Sequence, residues 1–123
     1  MEFQANYPLY LQITEDIKRR IVIGELKPGD KLPSGTDLAI EYQVNPNTVQ
    51  RIYHQLESEG ISYSKRGVGT FLTNDETLPS RLRRQIGMAL CDKFLKQMGT
   101  YHFSKDEIIH LIQSQIQKED SIC

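Results

Sequence analysis

The chain has no tryptophan and only two cysteines among its 123 residues, Cys91 and Cys123. Two thiols cannot build the disulfide framework of a small secreted domain, and both are expected to stay reduced. Apolar runs never exceed a few residues, which excludes a membrane-spanning helix. The N-terminus also lacks the basic-plus-apolar leader of an exported protein, so a cytoplasmic location is the expectation. An excess of positive charge is missing too: 15 Lys+Arg stand against 16 Asp+Glu, a net charge of −1. Dividing the chain changes little, with 8 basic against 10 acidic residues in 1–75 and 7 against 6 in 76–123. Any polyanion site must therefore be a local patch.

Chemistry-bearing motifs are equally scarce. There is no Gly-rich phosphate loop followed by Lys-Ser/Thr, no nucleophile elbow and no carboxylate pair, so nothing points to an enzyme. His54, His102 and His110 are scattered, and only Asp106 with His110 has i,i+4 spacing. One pair falls short of the roughly four ligands of a closed metal site. Neither a metal nor a cofactor is implied.

What remains is an ordinary globular composition, 38% hydrophobic and 25% charged, with clear periodicities. Residues 8–24 read as a helix: Pro8 suits a first turn, Leu9, Ile13, Ile17 and Ile21 recur every four residues, and Gly24 stops it. The Pro-Gly turn "LKPGDKL" (26–32) follows. Ser34, three residues before Asp37, then opens a short helix with Leu38, Ala39 and Tyr42 on one side. In "VNPNTVQRIYHQLESEG" (44–60), Asn45 is a good N-cap and Pro46 a good first residue. Val49, Ile52, Tyr53 and Leu56 share the core face, while Asn47, Gln50, Arg51, His54 and Ser58 lie opposite. Gly60 closes the helix. "ISYSKRGVGTFLT" (61–73) alternates on both sides of a basic glycine tip, a hairpin signal.

Two helices joined by a short turn and followed by a hairpin make a winged helix-turn-helix, whose second helix enters the DNA major groove by its N-terminal residues. The residue types fit. Asn and Gln can bond adenine bidentately, Arg can bond guanine, and Thr methyls can meet thymine methyls. Lys65 and Arg66 at a glycine tip suit a minor-groove or phosphate contact. A plainer alternative is a solvated helix face and an ordinary turn.

The segments "YPLYLQITEDIKRRIVIGELKPGDKLPS", "EYQVNPNTVQR" and "KRGVGTFL" resemble the DNA-binding domain of GntR-family bacterial transcription factors, and "VNPNTVQR" and "RGVGTF" resemble its YtrA-like subfamily. The likeness covers residues 7–72 almost without gaps. It implies a dimeric regulator, usually a repressor, often of a transporter operon, acting on a palindromic double-stranded operator. Carried over by position, Ser34, Asn45, Asn47, Thr48, Gln50 and Arg51 would face DNA, and Arg66 and Gly67 would form the wing contact, with Lys65 beside them. Three departures stand out. Thr36 occupies the place of a family arginine that contacts DNA, Ser62 that of an apolar wing residue, and Ile52 that of a small one.

"TNDET" (73–77) and Pro79 mark a linker, and two further helices follow. The first carries Leu82, Ile86, Leu90, Phe94 and Met98 at steps of four as far as Gly99, with Ala89, Cys91 and Leu95 widening the stripe and Cys91 expected to be buried. "RLRR" (81–84) reads as a solvated first turn in preference to a phosphate contact. In the second helix Ser104 and Glu107 form a capping box, Phe103 is placed to staple onto Ile108, and Ile108, Ile109, Ile112 and Ile116 supply the apolar face. Helices this short cannot form a core alone. The expected fold is thus mainly α (α+β): a winged helix-turn-helix domain, 1–75, followed by a two-helix dimerisation tail, 76–123. The dimer would rest on Leu82, Ile86, Leu90, Phe94, Ile108, Ile109, Ile112 and Ile116. A small-molecule effector, if one exists, must use the tail or the dimer seam. The contrasting reading is a winged helix serving as a protein-interaction module without specific DNA binding.

Overall fold

The structure, a computed structural model, describes residues 2–122; Cys123 lies outside the described residues. Five helices and one hairpin follow in the order α1 (Leu9–Val22), α2 (Gly35–Tyr42), α3 (Pro46–Ser58), β1 (Ser62–Lys65), β2 (Gly69–Leu72), α4 (Leu78–Thr100) and α5 (Lys105–Ile122). The chain resolves into two compact units, 1–84 and 85–123.

In the first unit the four-residue spacing of α1 delivers Ile13, Ile17 and Ile21 to the core, where Val49, Ile52 and Leu56 of α3 meet them. All six are essentially inaccessible to solvent. Pro8 caps α1 from outside the helix rather than filling its first turn. Tyr53 on α3 donates to the Pro33 carbonyl, which ties the second helix of the motif to the strand-like segment before the first. Residues 60–73 form an antiparallel hairpin with Ser62 opposite Leu72 and Lys65 opposite Gly69. The stretch read as a plain Pro-Gly turn does more than turn. Its amides and carbonyls at Gly29, Asp30 and Leu32 bond to Thr70 and Leu72, and Lys31 bridges Phe71. The open edge of β2 is covered in this way, which removes a template for unwanted pairing.

Pro79 is not in a linker. It is the second residue of α4, where a missing amide costs nothing, and Leu78 and Leu82 are buried in the first unit's core. Asp75 organises that helix start: its carboxylate accepts from the amide and hydroxyl of Thr77 and from the Arg81 guanidinium. The Thr77 amide above all holds the Asp75 carboxyl below its usual range.

In the second unit Gly99 does not end α4, which runs on to Thr100. The reversal falls on His102, which adopts φ 60°, an uncommon left-handed conformation for a side chain with a Cβ. Ser104 and Glu107 then exchange both hydrogen bonds of a capping box, at 2.9 and 3.2 Å. Helices α4 and α5 hardly pack on one another. Their apolar stripes consequently stay open: Leu90, Phe94, Leu95, Ile109, Ile112 and Ile116 are all exposed. Cys91, expected to be buried, is exposed for the same reason. Among the described residues no helix is long and apolar enough to cross a membrane.

Candidate nucleic-acid interface

The interface is built on the junction between α2 and α3. Gln43 takes the left-handed conformation (φ 57°), and the amides after α2 close onto the carbonyls of Ile40 and Ala39. This turns the chain within the three residues between the helices, Gln43 to Asn45. Asn45 then caps α3, its Oδ1 accepting from the Asn47 amide at 2.8 Å, with Pro46 in the first helical position. Ser34 does the same for α2, its Oγ accepting from the Asp37 amide at 3.2 Å. The side chains of Ser34 and Asn45 are therefore engaged first as helix caps.

With Val49, Ile52 and Leu56 fully buried, the opposite face of α3 is open by geometry. Asn47, Gln50, Arg51 and His54 are exposed there and Thr48 is half-buried. Asn47, Gln50, Arg51 and His54, together with Gln55 and Tyr10 of α1, line a shallow cleft of about 320 Å³. Thr36 is exposed in the first turn of α2. At the hairpin tip Lys65, Arg66 and Gly67 are exposed. Gly67 and Gly69 both have positive φ, 75° and 142°, and the Val68 amide closes the turn on the Lys65 carbonyl. A side chain at Gly69 would also require the end of Lys31 to shift, since its Cε lies 2.8 Å from the position of an added Cβ.

Pairing within the first unit leaves particular cations free in a chain of net charge −1. Lys18 is bridged to Glu59, Arg19 to Asp16, and Arg20 to Glu25 and Glu41. The carboxylates of the first unit thus neutralise cations of α1. Arg51, Lys65 and Arg66 form no ion pair among the described residues. Arg81 of "RLRR" is held by Asp75, which agrees with a helix-start role. Among the described residues no group of three or more His, Cys, Asp or Glu could hold a metal ion.

This geometry has close counterparts among known proteins. Residues 9–72 match the family described as bacterial regulatory proteins, gntR family. Over 113 residues the chain is 40% identical to the HTH-type transcriptional regulator YhcF of Bacillus subtilis, spanning 92% of this chain and 93% of that one. The chain belongs to the gntR family. This GntR-family protein is also 43% identical over 72 residues to the HTH-type transcriptional repressor YtrA of B. subtilis, covering 58% of one chain and 55% of the other. A GntR family transcriptional regulator from Listeria monocytogenes superposes with a TM-score of 0.82 at 37% identity, over 91% of this chain and 98% of that one. The DNA-binding domain of AraR in complex with operator ORR3 superposes with a TM-score of 0.53 at 30% identity, over 59% and 88%. The family and these relatives are transcriptional regulators, not enzymes. The GntR-family protein is accordingly a transcriptional regulator with a winged helix-turn-helix and a C-terminal helical region.

Two residues of the interface escaped the reading of the sequence. Tyr10 packs its ring under Arg51 from 41 positions away, and Lys31 lies over the wing through the bridge to Phe71. No local pattern marks either, since both depend on which elements meet in space.

Proposed function

We propose that this protein represses transcription by binding a two-fold symmetric operator as a homodimer, acting in the bacterial cytoplasm beside its DNA. In this reading residues 1–75 bind DNA and residues 76–123 join the protomers. Asn47, Thr48, Gln50 and Arg51 read base edges in the major groove, and His54, one turn further on, reaches a phosphate at most. Ser34, Thr36 and Asn45 lie against the backbone from the two helix starts. Lys65, Arg66 and Gly67 meet phosphate or the minor groove. The observation that carries the reading is the unpaired Arg51 amid exposed amide side chains on the first two turns of α3, in a chain whose α1 cations are otherwise neutralised. Gly67 adds to it, because it faces open space and lets a backbone come close.

Exposed apolar stripes on α4 and α5 support the dimer. Ile86, Leu90, Phe94, Ile109, Ile112 and Ile116 are the residues available to a partner, whereas Leu82 and Ile108 are already buried within their own chain. A symmetric dimer presents two copies of α3, hence a palindromic site. Control of a transporter operon, and an effector bound at the tail or dimer seam, belong to the same proposal by likeness to the family.

Binding-site selection on wild type and Gln50→Ala tests it. The wild type should select an inverted repeat. Gln50→Ala should lose about 1–3 kcal/mol on that repeat and relax one position in each half-site. Affinity should also fall steeply with salt, and Lys65→Ala should reduce the log–log slope by about 0.9 per half-site. Selection of no sequence by the wild type would instead favour a protein-interaction module.

A further inference from the structure

Arg51 is held more closely over an aromatic ring than Lys65 of the wing, whose Nζ lies 5.8 Å from the Phe71 centroid. Its guanidinium carbon sits 4.1 Å from the centroid of the Tyr10 ring, well inside the range of a cation–π contact. Tyr10 is itself fixed. It is the second residue of α1, it is half-buried, and its carbonyl accepts from the hydroxyl of buried Thr14 at 2.7 Å. The segment before it is pinned as well, because the Gln12 amide donates to the carbonyls of Gln4 and Tyr7 while its Oε1 accepts from the Gln4 amide. The Tyr10 side chain itself packs against the first unit's core.

A guanidinium stacked by its face keeps all of its N–H donors at the edge, where the planar fork matches guanine or phosphate. A carboxylate partner would consume those donors, and Arg51 has none among the described residues. An unrestrained arginine must also give up rotamer freedom when it binds, a cost that preorganisation removes beforehand. From these facts we infer that Tyr10, a residue of α1 outside the recognition helix, is a positioning residue for specificity: its ring sets the plane in which Arg51 offers its donors to DNA. The inference rests on the DNA-binding reading above and deepens it.

The test is a double-mutant cycle on the full chain, using the operator selected by the wild type and the four proteins wild type, Tyr10→Leu, Arg51→Ala and the double variant. Tyr10→Leu should weaken binding by about tenfold over two half-sites and relax base choice only where Arg51→Ala relaxes it. Added to Arg51→Ala it should change nothing further. Tyr10→Phe, which keeps the ring, should restore wild-type affinity and selectivity. Losses that multiply in the double variant, or a uniform loss without change in base preference, would overturn the inference while leaving DNA binding intact. A wild type that selects no sequence would overturn both. Should Tyr10→Leu fail to fold, the free wild-type protein decides by NMR. Ring-current displacement of the Arg51 δ protons supports the stack, and ordinary shifts there refute it.

Discussion

Ser62 shows how one atom departs from the logic around it. The residue is buried in the first position of β1, and among the described residues its Oγ has no hydrogen-bond partner. An orphaned buried hydroxyl destabilises by roughly 1–3 kcal/mol relative to a satisfied one. Its departure from the family's apolar residue, legible in the sequence, is therefore a departure in packing energy rather than in DNA contact. Ser62→Ala is expected to raise stability by about 1 kcal/mol, read as a shift of the urea midpoint at unchanged slope, with operator affinity untouched. A lower midpoint would mean that the hydroxyl has a partner after all. Thr36 is different: it is exposed at the start of α2, so it carries no packing cost of this kind.

Between elements, the contact that orients α2 against α1 is polar. The Tyr42 hydroxyl donates to Asp16 at 2.7 Å and accepts from Arg20 at 3.3 Å, and Arg20 also holds Glu41. Burial, reinforced by the Asp16 carboxylate and opposed by Arg20, pushes the Tyr42 phenol from its ordinary 10.0 up to about 12. A proton held more tightly in the folded state stabilises fully below the unfolded value and is lost as pH rises through the folded one. Stability should therefore decline between pH 10 and about 12 as this clamp ionises. Tyr42→Phe should flatten that part of the alkaline unfolding curve. An identical decline in the variant would assign it to other tyrosines.

Taken as a whole, the molecule carries one finished core and one unfinished surface. The first unit buries most of its isoleucines and leucines within the chain, Ile23 and Ile40 excepted, and the second leaves most of its apolar stripe open. The proposed homodimer predicts a dimer by sedimentation at micromolar concentration. Replacing Leu90 and Phe94 together with aspartate should give a folded monomer, because both side chains are exposed within their own chain and contribute little to its fold. That monomer should bind the operator at least tenfold more weakly, as each recognition helix would then bind alone. A wild-type monomer would end the dimer proposal, and an unfolded double variant would place those residues in an intrachain core.

Local physics was readable in the residues themselves. The four-residue spacing of Ile13, Ile17 and Ile21, the Asn45–Pro46 start of α3, the Ser104–Glu107 box and the glycines of the wing tip each depend on neighbours a few positions away, and each stands where the pattern put it. Composition could not show that Pro79 begins a docked helix, because Leu78 and Leu82 are buried by residues distant in sequence. Nor could it show that His102 takes over the reversal from Gly99, that Lys31 seals the edge of β2, or that Cys91 lies open. The charge balance is the sharpest instance. A net of −1 does not say which cations are free until Lys18, Arg19 and Arg20 are seen spent on Glu59, Asp16, Glu25 and Glu41. Periodicity and capping are short-range and written along the chain. Which cations remain unpaired, and which ring lies under Arg51, was settled only when α1 met α3.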